Sequence, residues 1–357
     1  MAYETNNHTI KDRIYGAKGG EVVSDQYVIE TNDLVKSYGP HIALDSLSLK
    51  VKAGATGLLG PNGAGKSTLI KTLLGLIGVT SGEGKVLGFN IRTEGENIRS
   101  KIGYLPEYEC LNPGLEAIHQ VAYSGELIGM NPTSAMQRAH EVLEYVGMRD
   151  QRYRKIETFS TGMAQATKLA CSIIHDPELI ITDEPSNGLD SRAREFMLKT
   201  LQQIVGEGGR SLLMASHLMG DVEKVCDRIV MLHKGRLIAQ GRIEDLKSIE
   251  QEIEIHVWGH ASELERELQN SGYEVRRTGR VMRVVRQDES TYAAIIECAA
   301  KSGAQLRRMN DHEPSLEDLF IVIMERLGYS VKSSAELFQV GGSGSKVDAP
   351  FELKEVG

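Results

Sequence analysis

Apolar positions recur along the chain in two rhythms, and the switches between them predict its elements. Over residues 27–59, short alternating segments broken at Tyr38-Gly39-Pro40 and Ala53-Gly54 predict antiparallel strands. Leu69, Ile70, Leu73, Leu74 and Ile77 then follow at helical spacing. Across residues 112–147, Ala117, Ile118, Val121 and Ala122, and later Ala139, Val142, Leu143 and Val146, return every three or four positions, which predicts a helical insert. Two short apolar runs come next. Leu179-Ile180-Ile181-Thr182 ends in Asp183-Glu184-Pro185, and Ser211-Leu212-Leu213-Met214-Ala215-Ser216 ends in His217. Both suit parallel strands buried on two faces, with polar residues at the carboxyl ends, where open α/β sheets bind ligands.

After residues 228–232, a Lys234-Gly235 turn and residues 236–239, the first domain is expected to close near Leu246. The remainder reads strand (252–258), helix (262–269), two strands about Thr278-Gly279, helix (291–300), strand (305–308) and helix (315–327). That order predicts a small α+β domain of ferredoxin-like type. The expected organisation is a polar extension over 1–26, a first domain over 27–246 with its helical insert at about 108–156, a second over 247–329, and a flexible tail over 330–357 containing Gly341-Gly342-Ser343-Gly344-Ser345.

A length of 357 residues supports two domains, each with its own core. The net charge of −8 gives no global attraction to nucleic acid or anionic lipid. Apolar stretches such as 73–79 fall far short of the roughly 20 residues that a membrane helix needs. The first 26 residues lack an apolar signal core and do not begin Met-Gly. Cys110, Cys171, Cys226 and Cys298 form no CxxC pair, which predicts buried thiols in a reducing cytosol rather than a disulfide frame or zinc site.

The chemistry concentrates at Gly60-Pro61-Asn62-Gly63-Ala64-Gly65-Lys66-Ser67-Thr68, which fits the pattern GxxxxGK[ST] between a strand and a helix. Glycines let successive amides converge on an anion at the positive end of the following helix. Lys66 is expected to reach the β- and γ-phosphates of a nucleoside triphosphate, and Ser67 to enter the shell of a Mg2+ ion. Adjacent carboxylates ending a buried strand, Asp183 and Glu184, are costly to desolvate without a cation or donors nearby.

Several stretches fall in a fixed order around this loop, and together residues 27–245 resemble the ATP-binding subunit of an ABC transporter. The fold implied is α/β: a P-loop NTPase cassette with a RecA-like core, an antiparallel β subdomain and a helical subdomain. The part after it resembles the accessory domain of bacterial drug, sodium or polysaccharide exporters, including Glu313-Pro314-Ser315-Leu316-Glu317-Asp318-Leu319-Phe320. The resemblance implies that Tyr38 stacks on adenine, that Asp183 holds Mg2+ through water, that Glu184 polarises the attacking water, and that His217 contacts the γ-phosphate. Ser186-Asn187-Gly188-Leu189-Asp190 resembles the loop coupling two cassettes. Phe159-Ser160-Thr161-Gly162-Met163-Ala164-Gln165 resembles the LSGGQ signature, so that Ser160, Gly162 and Met163 cap ATP bound by the opposite subunit.

The sequence departs from the family pattern at two places near the triphosphate. In Ile102-Gly103-Tyr104-Leu105-Pro106-Glu107, Glu107 stands at the usual glutamine position; it can still ligate Mg2+ or a water while adding negative charge. Ala166 stands where the signature helix commonly carries arginine, with Lys168 as the next cation along that helix. The implied function is an ATP-hydrolysing subunit, of exporter type, that pairs head to tail with a second copy and drives a separate membrane permease docked on the helical insert, at the cytoplasmic face of the membrane.

Two other readings remain. One is a soluble ABC-type ATPase acting on nucleic acid or ribosomes, for which Arg276, Arg277, Arg280, Arg283 and Arg286 are the motive. Their alternation is imperfect and ring-bearing residues are lacking, so a solvated strand face or a subunit contact is expected instead, and no nucleic-acid partner. The other is a weakly hydrolysing nucleotide-gated structural subunit, motivated by Glu107, Thr161 and Ala166 and opposed by Lys66, Ser67, Asp183, Glu184 and His217.

Overall fold

The computed structural model describes residues 27–206, 208–248, 252–312 and 314–326. The expected extension over 1–26 and tail over 330–357 lie outside them. The chain divides into two compact units, one up to Gln240 and one from Gly241.

The first unit begins with an antiparallel sheet. Strands β1 (Tyr27–Tyr38) and β2 (His41–Lys52) form a long hairpin, and β4 (Ser81–Val86) and β5 (Phe89–Asn90) complete the order β2-β1-β4-β5. The second sheet has the order β10-β9-β3-β8-β7-β6, built from β3 (Ala55–Leu59), β6 (Ile102–Leu105), β7 (Leu179–Asp183), β8 (Ser211–Ala215), β9 (Arg228–His233) and β10 (Arg236–Arg242). The pairs β6–β7, β7–β8, β8–β3 and β3–β9 are parallel, and every residue of β3, β7 and β8 is buried, as two covered faces require.

Helices α1 (Lys66–Leu73) and α2 (Gly95–Lys101) follow β3 and β5. Helices α3 (Ala117–Leu127) and α4 (Pro132–Tyr145) form the helical insert, and α5 (Thr161–Ile173) leads back to β7. In α3, Ala117, Ile118, Val121, Ala122 and Gly125 are buried, leaving Tyr123 and Leu127 exposed on the other side. Helices α6 (Ser191–Gly206) and α7 (Met219–Val225) flank β8 in sequence. Gly57 lets α7 lie flush on β3, since a Cβ there would sit 2.2 Å from Val222 Cγ1.

The second unit holds α8 (Ile243–Ser248), β11 (Glu252–Trp258), α9 (Ala261–Asn270), β12 (Val275–Thr278), β13 (Val281–Val285), α10 (Ser290–Ser302), β14 (Gln305–His312) and α11 (Leu316–Arg326). Its antiparallel sheet has the order β12-β13-β11-β14, the ferredoxin-like arrangement expected from the element order. Ile253, Ile255, Val257, Met282 and Val284 pack with Leu264 and Leu268 of α9 and with Ile295 and Cys298 of α10. Arg276 pairs with Glu252 and Glu274, Arg277 with Glu265, Arg283 with Glu254 and Asp318, and Arg286 with Asp311. Arg280 stacks on Trp258, 3.9 Å from the ring centroid.

One expectation is corrected. Cys226 and Cys298 are buried, but Cys171 is half-buried and Cys110 is exposed, because Cys110 lies in an irregular stretch after β6 rather than on a covered helix or strand. No helix among the described residues is long and apolar enough to cross a membrane.

Candidate active site

The site forms where the parallel register aligns three strand ends. Leu58 of β3 and Asp183 of β7 both pair with Ala215 of β8, so the loop after Leu59, the carboxylates at 183–184 and the segment Ser216-His217 leave the sheet side by side. Gly65, in the left-handed conformation at φ 100°, caps α1 with no side-chain hydrogen bond. Among the described residues the amides of Gly65, Lys66, Ser67 and Thr68 donate to no protein acceptor, while the Leu69 amide already bonds the Gly65 carbonyl. Four free donors at a helix N-terminus fit an anion.

Lys66 is buried, and its Nζ donates to the carbonyls of Gly60 (2.6 Å) and Pro61 (3.3 Å), so the ammonium is folded back against the loop. Burial lowers its pKa, opposed by the negative fields of Glu184, Asp183 and Glu107. Ser67 Oγ donates to Asp183 Oδ2 at 3.1 Å, which places a hydroxyl and a carboxylate together beside the loop, a donor set that suits a hard cation such as Mg2+. Burial raises the pKa of Asp183; the Ser67 hydroxyl and Lys66 oppose this, and Glu107 and Glu184 add to it.

That shift predicts a trade of stability for function. A raised carboxyl pKa gives stability that is present below the unfolded value and lost as pH rises through the folded value. Asp183→Asn keeps an acceptor for Ser67 without the buried charge. It is therefore expected to raise the melting temperature of the nucleotide-free protein by about 2–4 °C at neutral pH, the size of a ~1 kcal/mol change in a domain of this length. The gain should shrink toward pH 4, and thermal melts across pH measure it; a gain that grows on acidification contradicts the assigned cause.

Glu184 follows β7 at φ 52°, a left-handed conformation that costs a non-glycine residue roughly 1–2 kcal/mol. Its amide nevertheless continues the ladder to the Ala215 carbonyl at 2.9 Å, and the turn aims the side chain at the end of β8. There Oε1 accepts the His217 amide (2.9 Å), and Oε2 meets Ser216 Oγ (3.3 Å) and His217 Nδ1 (2.8 Å). Three of the carboxylate's about four acceptor directions are used, which leaves one on Oε1 for a water.

Tyr38 ends β1 and is 48% exposed, with Lys36 Nζ 4.9 Å from the ring centroid. Its hairpin meets the loop at Ala43, whose carbonyl oxygen would lie 2.6 Å from a Cβ on Gly65. Glu107 is exposed in the stretch after β6, within the field of Lys66 and Asp183. Ser160, Gly162 and Met163 share no hydrogen bond with this group: Ser160 caps α5 by accepting the Met163 amide at 3.4 Å, and Gly162 packs on Ala193 of α6.

Two features went unread in the sequence. In the sequence Ser216 shows only as the end of an apolar run, yet its hydroxyl donates to Glu184. Asp221, fully buried on α7, accepts Ser186 Oγ at 2.5 Å and Arg194 Nε at 2.8 Å, tying the 186–190 loop to the helix that follows His217. A lone acidic residue on a helix gives no sign of such partners.

A free helix N-terminus, a buried lysine and paired carboxylates at the ends of parallel strands define a P-loop nucleoside triphosphatase. Residues 44–187 match the family described as ABC transporter. The chain is 39% identical over 222 residues to the linearmycin resistance ATP-binding protein LnrL of Bacillus subtilis (strain 168), covering 62% of this chain and 71% of that protein. It is 31% identical over 304 residues to the bacitracin transport ATP-binding protein BcrA of Bacillus licheniformis, covering 83% and 97% respectively. A solved ATP-binding subunit of an ABC transporter superposes with a TM-score of 0.56 at 28% identity, covering 62% of this chain and 92% of that one. The chain belongs to the ABC transporter ATP-binding proteins, and it is an ATP-binding ATPase of that type.

Proposed function

We propose that this chain is the ATP-hydrolysing subunit of an exporter, working as a head-to-tail pair at the cytoplasmic face of a membrane and driving a separate permease. The observation that carries the pairing is that Ser160, Gly162 and Met163 share no hydrogen bond with the phosphate loop of their own chain, whose amides are left without protein acceptors. The loop offers free amides on one side of the triphosphate, and the signature helix has its own N-terminus elsewhere, so a complete site takes one from each copy. Export is supported by the names of LnrL and BcrA, a resistance and a transport protein.

Within each site, Tyr38 stacks on adenine, the 60–68 loop amides and Lys66 hold the β- and γ-phosphates, and Ser67 and Asp183, with Glu107, hold Mg2+. The metal supplies charge neutralisation on the phosphoryl oxygens. Glu184 takes a proton from a water whose oxygen bonds to the γ-phosphorus as the bond to the β-phosphate oxygen breaks, giving ADP and phosphate. His217 and Ser216 hold the carboxylate in position for that transfer. The permease docks on the helical insert, where Tyr123, Leu127 (69% exposed) and Ile128 form an uncovered apolar stripe. We assign the 247–329 region to an accessory domain whose arginines serve internal ion pairs.

Mixing two inactive variants tests the pairing. Glu184→Gln and Ser160→Arg chains are each expected to lack appreciable ATPase activity, yet a mixed pair holds one site with both halves intact, its cap supplied by the Glu184→Gln chain, which still binds ATP at its own loop. With random assortment, half the pairs are mixed and each has one of two sites, so an equimolar mixture should recover about a quarter of the wild-type rate. No recovery overturns the shared site.

A further inference from the structure

The seam between α5 and β6 carries a side chain that neither the motifs nor the proposed chemistry uses. Three residues on one face of α5 and just beyond it touch β6 or its continuation. His175 Nε2 lies 3.2 Å from the Ile102 carbonyl oxygen, and Ser172 lies so close to Gly103 that a Cβ there would sit 2.1 Å from the Ser172 oxygen. One turn nearer the site, Lys168, 3% exposed, sends Nζ to the carbonyls of Pro106 (3.0 Å), Glu107 (3.3 Å) and Tyr108 (3.4 Å).

An ammonium has three protons, and here each meets a main-chain carbonyl of consecutive residues. Among the described residues no carboxylate pairs with Lys168, so the loop backbone is what compensates its buried charge. The segment it grips is otherwise irregular between β6 and α3. Without the clamp, these three carbonyls lose their common donor and the loop loses its tie to the helix. Burial lowers the pKa of Lys168, while Cys110, Glu109 and Glu107 favour its charged form.

We infer that Lys168 is a positioning residue that makes the Glu107 loop and the signature helix one mechanical unit, so that nucleotide at a chain's own phosphate loop sets the pose of the cap it offers to its partner. The two ends of this unit face different sites. Glu107 lies in the field of Lys66 and Asp183 of the same chain, whereas Ser160 starts the same helix two turns from Lys168 and faces the partner's ATP. With Ala166 in the same helix, Lys168 is the cation that α5 presents to this loop, and it does so through the loop backbone rather than a side-chain partner. The inference rests on the head-to-tail reading.

The test is ATPase rate against ATP concentration for the wild type and for Lys168→Met, which keeps length and removes charge. The wild type is expected to be sigmoidal. Lys168→Met should bind a fluorescent ATP analogue as a monomer within about twofold of wild type, lose the sigmoidal dependence, and fall about tenfold in maximal rate, the scale of a lost charged hydrogen-bond set. Lys168→Arg should restore the curvature. If Lys168→Met does not fold, Lys168→Gln, which retains two donors, should show the same loss in weaker form. A Lys168→Met or Lys168→Gln enzyme that is slow or less stable but still sigmoidal makes the residue merely structural and overturns the inference alone. A hyperbolic wild type overturns the paired reading and this inference with it.

Discussion

Glu184→Gln is expected to lower ATP hydrolysis by about 10²–10⁴-fold, the range over which a positioned general base contributes, while leaving ATP binding within a few-fold of wild type. The geometry makes this substitution unusually clean. The glutamine oxygen can still accept the His217 amide, the Ser216 hydroxyl can rotate to accept rather than donate, and His217 Nδ1 can accept from the new NH2 by changing tautomer. What disappears is the basic lone pair, not the fold around it. None of the loop amides or Lys66 is touched. ATP should therefore bind and bring two chains together, and a sizing column run with ATP should show a long-lived dimer that wild type does not accumulate. Undiminished turnover removes Glu184 from the base role, and loss of ATP binding means that the carboxylate holds the loop together instead.

The parts of this site that could be read from the sequence are those whose chemistry is local. The triphosphate loop is contiguous, its glycines and lysine have fixed spacing, and the helix after it is announced by Leu69, Ile70 and Leu73. The runs ending at Asp183 and His217 are short, apolar and bounded by polar residues, so their assignment as buried parallel strands needs no partner to be known. The ferredoxin-like order of the second unit follows from alternation and turn residues in the same way. Contacts that depend on register were not legible. Glu184 meets residues 32 and 33 positions away only because Asp183 pairs with Ala215, and Lys168 meets a loop some 60 positions upstream only because Gly103 lets α5 close on β6. Cys110 differs for another reason: the absence of CxxC spacing argues against a disulfide or zinc site but says nothing of cover, and Pro106, Glu107, Glu109 and Pro113 around it mark an irregular, uncovered stretch.

The second large effect belongs to Gly65, where Gly65→Ala is expected to abolish hydrolysis and weaken ATP binding by at least tenfold. Two costs coincide there. At φ 100° an alanine carries a left-handed penalty of roughly 1–2 kcal/mol, and its Cβ would lie 2.6 Å from the Ala43 carbonyl oxygen and 3.1 Å from Leu44 Cδ2. Backbone cannot rotate away as a side-chain tip can, so either the β1–β2 hairpin or the start of α1 must shift. The first displaces Tyr38 and the second displaces the free amides and Lys66, the groups that the proposed site sets against the nucleotide. Gly63 provides the contrast, since it also has positive φ, at 79°, but a Cβ there meets nothing within 4 Å. Gly63→Ala should bear only the conformational cost, and its ATP affinity should fall well short of the loss at Gly65. Isothermal titration of both variants against ATP separates the contributions. Equal losses at the two positions make conformational freedom alone the reason for the glycines, whereas the expected gap assigns the larger share to the close approach of the hairpin, which holds the loop in its anion-binding shape.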